Sequence, residues 1–131
     1  MDLTKNNGLN LKSEASEFFL FECEKDLLKI LKHAEAIEKK IQVIGSGTNT
    51  IFPRHFSNIV IKSTNNNFKF SEEGEIAKLE VGAGVIWDDL IDFCCSKNLH
   101  GLENLAGIPG TVGAAPIQNI GAYGVEISDL I

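Results

Sequence analysis

The residues best placed for chemistry in this sequence are glycines and small hydroxyl residues gathered in two loops. The first is Gly45-Ser46-Gly47-Thr48-Asn49-Thr50, directly after the apolar run Ile41-Gln42-Val43-Ile44. Small residues there point backbone amides and hydroxyls at one spot, an arrangement that suits a phosphate. The spacing is not a dinucleotide fingerprint, because its sixth position is Thr50 and not glycine, and no Lys-Ser/Thr pair makes it a P-loop. Taken alone it also reads as a plain strand-ending turn. The second loop, Gly107-Ile108-Pro109-Gly110-Thr111-Val112-Gly113, places glycine at every third position with apolar residues between. That pattern fits neither helix nor strand. Close backbone approach to a cofactor explains it, and a purely structural cluster of turns is the competing account. Together the two loops suggest a dinucleotide, whose two phosphates need many donors.

The second loop belongs to a longer stretch, residues 101–127, which holds six of the twelve glycines and no charge between Glu103 and Glu126. It keeps Leu105, Ile108, Val112, Ile117, Ile120 and Val125, unlike a flexible linker, and is expected to be ordered and largely buried. Other polar groups carry plainer readings. Asp88 and Asp89 start a helix, as solvated acids that complement its dipole. Glu103 is expected to bond backbone amides. His33, His55 and His100 have no metal-site spacing.

Elements to position these loops are legible in the hydrophobic pattern. Phe18-Phe19-Leu20-Phe21 suits a buried strand, and residues 1–16 read as irregular. Leu27, Leu28, Ile30, Leu31, Ala34 and Ile37 predict a helix ending near Lys40. Strands at residues 41–44 and 59–61 complete a small parallel unit. After Asn65-Asn66-Asn67 the pattern changes. Residues 68–71 and 76–81 alternate as a hairpin around Glu72-Glu73-Gly74-Glu75. Residues 85–97 predict a helix with Trp87, Leu90, Ile91 and Cys94 inward. The change divides the chain into residues 1–63 and residues 64–131.

Composition narrows the function classes. The chain has 131 residues, 12 basic and 18 acidic, for a net charge of −6. An acidic chain without a basic run argues against nucleic acid or an anionic membrane as partner. No apolar run approaches the ~20 residues of a membrane span, and residues 1–7 lack a signal-peptide centre. Cys23, Cys94 and Cys95 have no Cys-x-x-Cys spacing, which favours a reduced, cytoplasmic setting with the thiols as apolar filler.

Residues 101–127 resemble the signature of the UDP-N-acetylenolpyruvoylglucosamine reductases, the UDP-N-acetylmuramate dehydrogenases of peptidoglycan synthesis. The likeness runs through Gly-Leu-Glu-Asn-Leu-Ala-Gly-Ile-Pro-Gly-Thr-Val-Gly and Pro-Ile-Gln-Asn-Ile-Gly-Ala-Tyr-Gly-Val-Glu. Val43-Ile44-Gly45-Ser46-Gly47-Thr48-Asn49 is similar to the same family's first FAD loop, with Thr48 where Ser is common. Val81-Gly82-Ala83-Gly84 and Trp87 also fit. The resemblance covers residues 18–131 and implies an α+β fold, the FAD-binding domain of vanillyl-alcohol-oxidase type. Residues 1–63 would be its first subdomain and residues 64–131 an incomplete second, without the substrate-binding domain.

The resemblance further implies a cofactor, a reductant and a substrate. FAD would be held by Gly45, Ser46, Gly47, Thr48, Asn49 and Thr50 and by Gly107, Ile108, Pro109, Gly110, Thr111 and Gly113 at the pyrophosphate. Gln118, Asn119, Gly121, Ala122 and Tyr123 would lie near the flavin. Tyr123 either borders the ring system or is a packed aromatic with a bonded hydroxyl. NADPH would supply hydride for UDP-N-acetylglucosamine enolpyruvate. The family draws an Arg, a Ser and a Glu for catalysis from further along, so none is expected here. A separate chain carrying that missing part is one partner the resemblance allows. Alternatives are an oxidase of the same fold with another substrate, and a non-catalytic gene fragment. Asn6-Asn7-Gly8-Leu9 only partly resembles the family's Asn-Thr-Phe before the first strand.

Overall fold

A computed structural model of the chain describes residues 1–74 and 76–131. The chain folds as two compact units, Met1–Asn65 and Asn66–Ile131.

In the first unit β1 (Glu14–Phe21), α1 (Glu24–Ala36), β2 (Ile41–Ile44) and β3 (His55–Ser63) follow one another. The sheet order is β1-β3-β2, with both pairings parallel, so the last strand made lies in the middle. Successive residues of a strand face opposite ways, and a central parallel strand must be apolar on both faces. Ile59, Val60 and Ile61 meet that demand and are all but fully buried. Ile59 and Ile61 pack with Ile30 and Ala34 of α1. Val60 packs the other way, with Leu3, Ala15, Ile44 and Phe52. The N-terminal residues expected to be irregular therefore close one face of the sheet, and β1 starts at Glu14, before the aromatic run.

Helix α1 stops at Ala36, four residues short of the expected end. Glu38 takes a left-handed conformation (φ 54°), and the Lys39 N–H donates to the Ala34 carbonyl at 2.9 Å. This is the closing bond pattern of a helix C-terminus, made without glycine. The expected stripe is also wider than the face that packs. Ile30 and Ala34 are buried, whereas Leu28, Leu31 and Ile37 are exposed.

In the second unit β4 (Phe68–Glu73) and β5 (Ile76–Val81) pair antiparallel, Phe68 opposite Val81 and Phe70 opposite Leu79. Of the expected turn, Glu72 and Glu73 belong to β4, and Glu75 lies outside the described residues. Helix α2 (Trp87–Ser96) buries Trp87, Leu90, Ile91 and Cys94, the stripe its sequence predicts. Irregular chain follows, with 3₁₀ turns at Glu103–Leu105, Pro116–Gln118 and Ile127–Asp129 and a minimal hairpin of β6 (Gly121–Ala122) and β7 (Val125–Glu126). Leu105, Ala115, Ile120 and Ile127 join α2 in one core. Among the described residues no helix is long and apolar enough to cross a membrane.

Candidate functional site

The first glycine loop leaves β2 just after the buried Ile44 and is clasped by the N-terminal segment. Asn7 is buried and organises that segment through its side-chain amide. Its Nδ2 donates to the Leu3 and Leu11 carbonyls at 3.1 and 3.0 Å, and its Oδ1 accepts from the Leu11 N–H at 2.9 Å. Gly8 then donates its N–H to the Gly47 carbonyl at 3.0 Å. Gly47 is buried with φ 76°, and a Cβ there would overlap the Asn6 carbonyl, 2.7 Å from its carbon. Only glycine fits. The Ser46 Oγ is buried and, alone among the described side-chain atoms of its kind, has no hydrogen-bond partner in the protein. Buried hydroxyls are ordinarily satisfied, so an orphan inside a glycine loop calls for a partner from outside the chain.

The second loop is strapped across the start of α2. Trp87 donates its indole N–H to the Leu105 carbonyl at 3.0 Å and its amide to the Gly110 carbonyl at 3.2 Å. The Val112 N–H donates to Val85 at 2.9 Å and the Gly113 N–H to Ala83 at 3.1 Å. A Cβ on Gly113 would come within 2.6 Å of the Ala83 Cβ, so close packing demands this glycine. Asp88 accepts the Gly107 N–H at 2.8 Å. The amides of Gly107, Val112 and Gly113 are thus spent inside the protein. No protein group takes the N–H of Ile108, Gly110 or Thr111 among the described residues, and Pro109 has none. Gly107 and Gly110 have open space where a Cβ would stand. Unclaimed amides, with open space at Gly107 and Gly110, suit an anionic group that approaches the backbone closely.

Around residues 118–128 the chain is braced by Asn119, left-handed at φ 46°. Its Nδ2 donates to Glu126 Oε2 at 2.6 Å and its Oδ1 accepts from the Ser128 N–H at 3.1 Å. The Asn119 side chain is thereby committed to holding the β6–β7 hairpin. Gly121 and Ala122 form β6, and Gln118 is exposed at the end of its 3₁₀ turn. Tyr123 sits at the hairpin tip with φ 53° and is 90% exposed. The packed-aromatic account of Tyr123 is therefore overturned. So is the expectation that residues 101–127 are largely buried. The stretch packs one side on α2, and most of its other residues face outward.

Glu103 behaves as its sequence predicts. Its carboxylate accepts from the Gly101 N–H at 2.6 Å. Bonds from its own amide and from Gly101 hold the group below the ordinary carboxylate range. Of the cysteines, Cys94 is core filler and burial pushes its thiol up, but Cys23 and Cys95 are exposed and fill nothing. Sequence reasoning missed the roles of Asp88 and Asn7: Asp88, read as a solvated acid, is half-buried and bonds Gly107, and Asn7 organises the N-terminal segment. Asp88 gave no signal beyond its place at a helix start. Asn7-Gly8 is a turn pair in which Asn7 bonds its near neighbours and Gly8 bonds Gly47, some forty positions later.

Residues 15–131 match the FAD binding domain family. The UDP-N-acetylenolpyruvoylglucosamine reductase of Porphyromonas gingivalis is 35% identical over 130 residues, covering 98% of this chain and 38% of that protein. The same enzyme of Bdellovibrio bacteriovorus is 38% identical over 131 residues, covering 99% of this chain and 39% of that protein. The chain thus spans less than two-fifths of these relatives' length. The crystal structure of the UDP-N-acetylenolpyruvylglucosamine reductase from Thermus caldophilus shares the fold, with a TM-score of 0.73 at 24% identity over 98% of this chain and 44% of that one. The orphaned Ser46 hydroxyl in the first unit and, separately, the unclaimed amides in the second are each the kind of donor that a phosphate accepts from. The chain belongs to the FAD binding domain family.

Proposed function

We propose that this chain is the FAD-holding part of an NADPH-dependent reductase that converts UDP-N-acetylglucosamine enolpyruvate to UDP-N-acetylmuramate in cytoplasmic peptidoglycan synthesis. The observation that carries the cofactor reading is the set of donors without a protein partner among the described residues: Ser46 Oγ and the amides of Ile108, Gly110 and Thr111. The substrate reading rests on the relatives' names and on the likeness of residues 101–127 to their signature. Bound FAD supplies the hydride chemistry. The chain's own task is to bind and orient. Residues 45–50 and residues 107–113 each offer phosphate donors, with Gly113 as a packing position and Gly107 tied to Asp88. Gln118, Gly121, Ala122 and the projecting Tyr123 are proposed to border the flavin, on a hairpin that Asn119 keeps rigid.

The reaction also needs a proton source and donors for the developing enolate. The resemblance finds none within these 131 residues, so a second polypeptide or further chain would supply them. Mixing the purified chain with FAD and removing the excess tests the cofactor reading. A retained flavin band, shifted from free FAD, is expected; a colourless protein would overturn it. NADPH oxidation with the enolpyruvyl substrate should stay at the level of free flavin. Faster turnover would refute the division of labour.

A further inference from the structure

We infer that Asp88 is a positioning residue for the cofactor loop, an inference resting on the FAD reading above. Its Oδ1 accepts the Gly107 N–H at 2.8 Å across nineteen positions of sequence. Gly107 opens the loop with φ 77° and has nothing within 4 Å of where a Cβ would be, so packing does not hold it. Downstream, the loop is fastened by Trp87 to Gly110, Val112 to Val85 and Gly113 to Ala83. Upstream, the Trp87 indole holds Leu105. Between Leu105 and Gly110 the Ala106 N–H donates to the Glu103 carbonyl at 3.3 Å and the Ile108 side chain packs on the core, while the Gly107 amide itself is held by the carboxylate of Asp88. Its bond fixes where the Ile108 amide, the first unclaimed donor, is presented.

The neighbouring residue separates this role from the helix dipole. Asp88 and Asp89 both lie in the first turn of α2, and both complement its dipole. Asp89 is exposed and makes no bond to the loop among those described. A dipole effect would make the two acids equivalent; a positioning effect belongs to Asp88 alone. Charge and acceptor are likewise separable. Asp88→Asn keeps an oxygen acceptor and removes a negative charge from the surroundings of an anionic ligand, whereas Asp88→Ala removes both.

The test is FAD titration of the full chain, followed by flavin fluorescence, for the wild type, Asp88→Asn, Asp88→Ala and Asp89→Ala. Asp88→Ala is expected to bind about tenfold more weakly, the worth of one hydrogen bond to a charged group. Asp88→Asn should stay within about twofold of wild type or bind more tightly, and Asp89→Ala should match wild type. The Gly107 amide gives a readout independent of cofactor. Its exchange with solvent should quicken in Asp88→Ala and stay near the wild-type rate in Asp88→Asn. Equal FAD affinity in Asp88→Ala and wild type overturns the inference, as does loss in Asp88→Asn as large as in Asp88→Ala. If wild type takes up no FAD, the functional reading falls, and unchanged Gly107 exchange in Asp88→Ala would still refute the positioning role.

Discussion

Replacing Gly47 by alanine should detach the N-terminal clasp from the first glycine loop. The perturbation has two parts. The left-handed backbone at φ 76° costs a residue with a Cβ about 1–2 kcal/mol. The new methyl would also overlap the Asn6 carbonyl, a backbone group that no rotamer change moves aside. Relief comes only if the segment lifts. Lifting breaks the Gly8 N–H bond to the Gly47 carbonyl, worth about 1 kcal/mol net, and uncovers Leu3, fully buried here, at about 2 kcal/mol. The combined loss is about 4–5 kcal/mol. A chain of this size holds roughly 7–20 kcal/mol in all by the per-residue rule, so the unit should survive with a clearly lower midpoint. With a urea slope of about 1.5 kcal/mol/M, a loss of about 4.5 kcal/mol moves the midpoint down by about 3 M. Gly110→Ala is the control, because a Cβ there meets nothing within 4 Å. Its midpoint should stay within a few tenths of a molar of wild type. Hydrogen exchange at the Gly8 amide locates the damage: protection should vanish in Gly47→Ala and persist in Gly110→Ala. Equal midpoints, with Gly8 protected in both, would refute the clasp.

Ser46→Ala deletes a buried hydroxyl that has no protein partner, so melting of the cofactor-free chain should be unchanged or raised by up to about 1 kcal/mol. The same variant should lose part of the thermal shift that FAD gives, and an undiminished shift would take Ser46 out of the site. Tyr123→Asn places a residue tolerant of left-handed backbone at φ 53° and sacrifices almost no packing, since the ring is 90% exposed. A gain of about 0.5–1 kcal/mol in denaturant unfolding is expected, and a loss would mean the ring is held by contacts of its own. For Glu103, hydrogen bonds from its own amide and from Gly101 depress the carboxyl from 4.5. Its contribution is therefore present above that value and disappears as the pH falls through the lower folded value. Wild type should lose more stability over that range than Glu103→Gln. Parallel acid-unfolding curves for the two would refute the assignment.

Periodic parts of the fold were legible in the sequence. Strand β2 falls on residues 41–44, the β4–β5 hairpin on its alternation, and Trp87, Leu90, Ile91 and Cys94 of α2 on their helical spacing. Such segments announce themselves because one face repeats. The clasp has no repeat. Leu3, Asn7 and Gly8 act singly, and what ties their segment to the rest lies far along the chain: Leu3 packs with Ile44 and Phe52, Gly8 bonds Gly47, and the Ser13 hydroxyl bonds the Phe52 carbonyl 39 positions on. The end of α1 was missed because a glutamate, not a glycine, takes the left-handed position. In the site, glycine spacing marked both loops but did not separate their tasks. Gly107, Gly110 and Gly113 look equivalent in sequence. In three dimensions one amide answers Asp88, one is unclaimed and one answers Ala83. Asn119 was read as lying near the flavin, and its side chain is spent on Glu126 and Ser128.

The order β1-β3-β2 has a consequence for how the first unit is made. Neither flanking strand has a partner until the middle one exists, and Glu14 must wait for His55. During synthesis the first fifty residues can form α1 but no sheet, because every ladder bond joins β3 to something older. Closing such long loops precedes any reward from pairing, so this unit should assemble late and slowly for its length. Substitutions in β3 should then retard refolding. Changes confined to Asn7 or Gly8, which dock on a sheet already built, should mainly hasten unfolding.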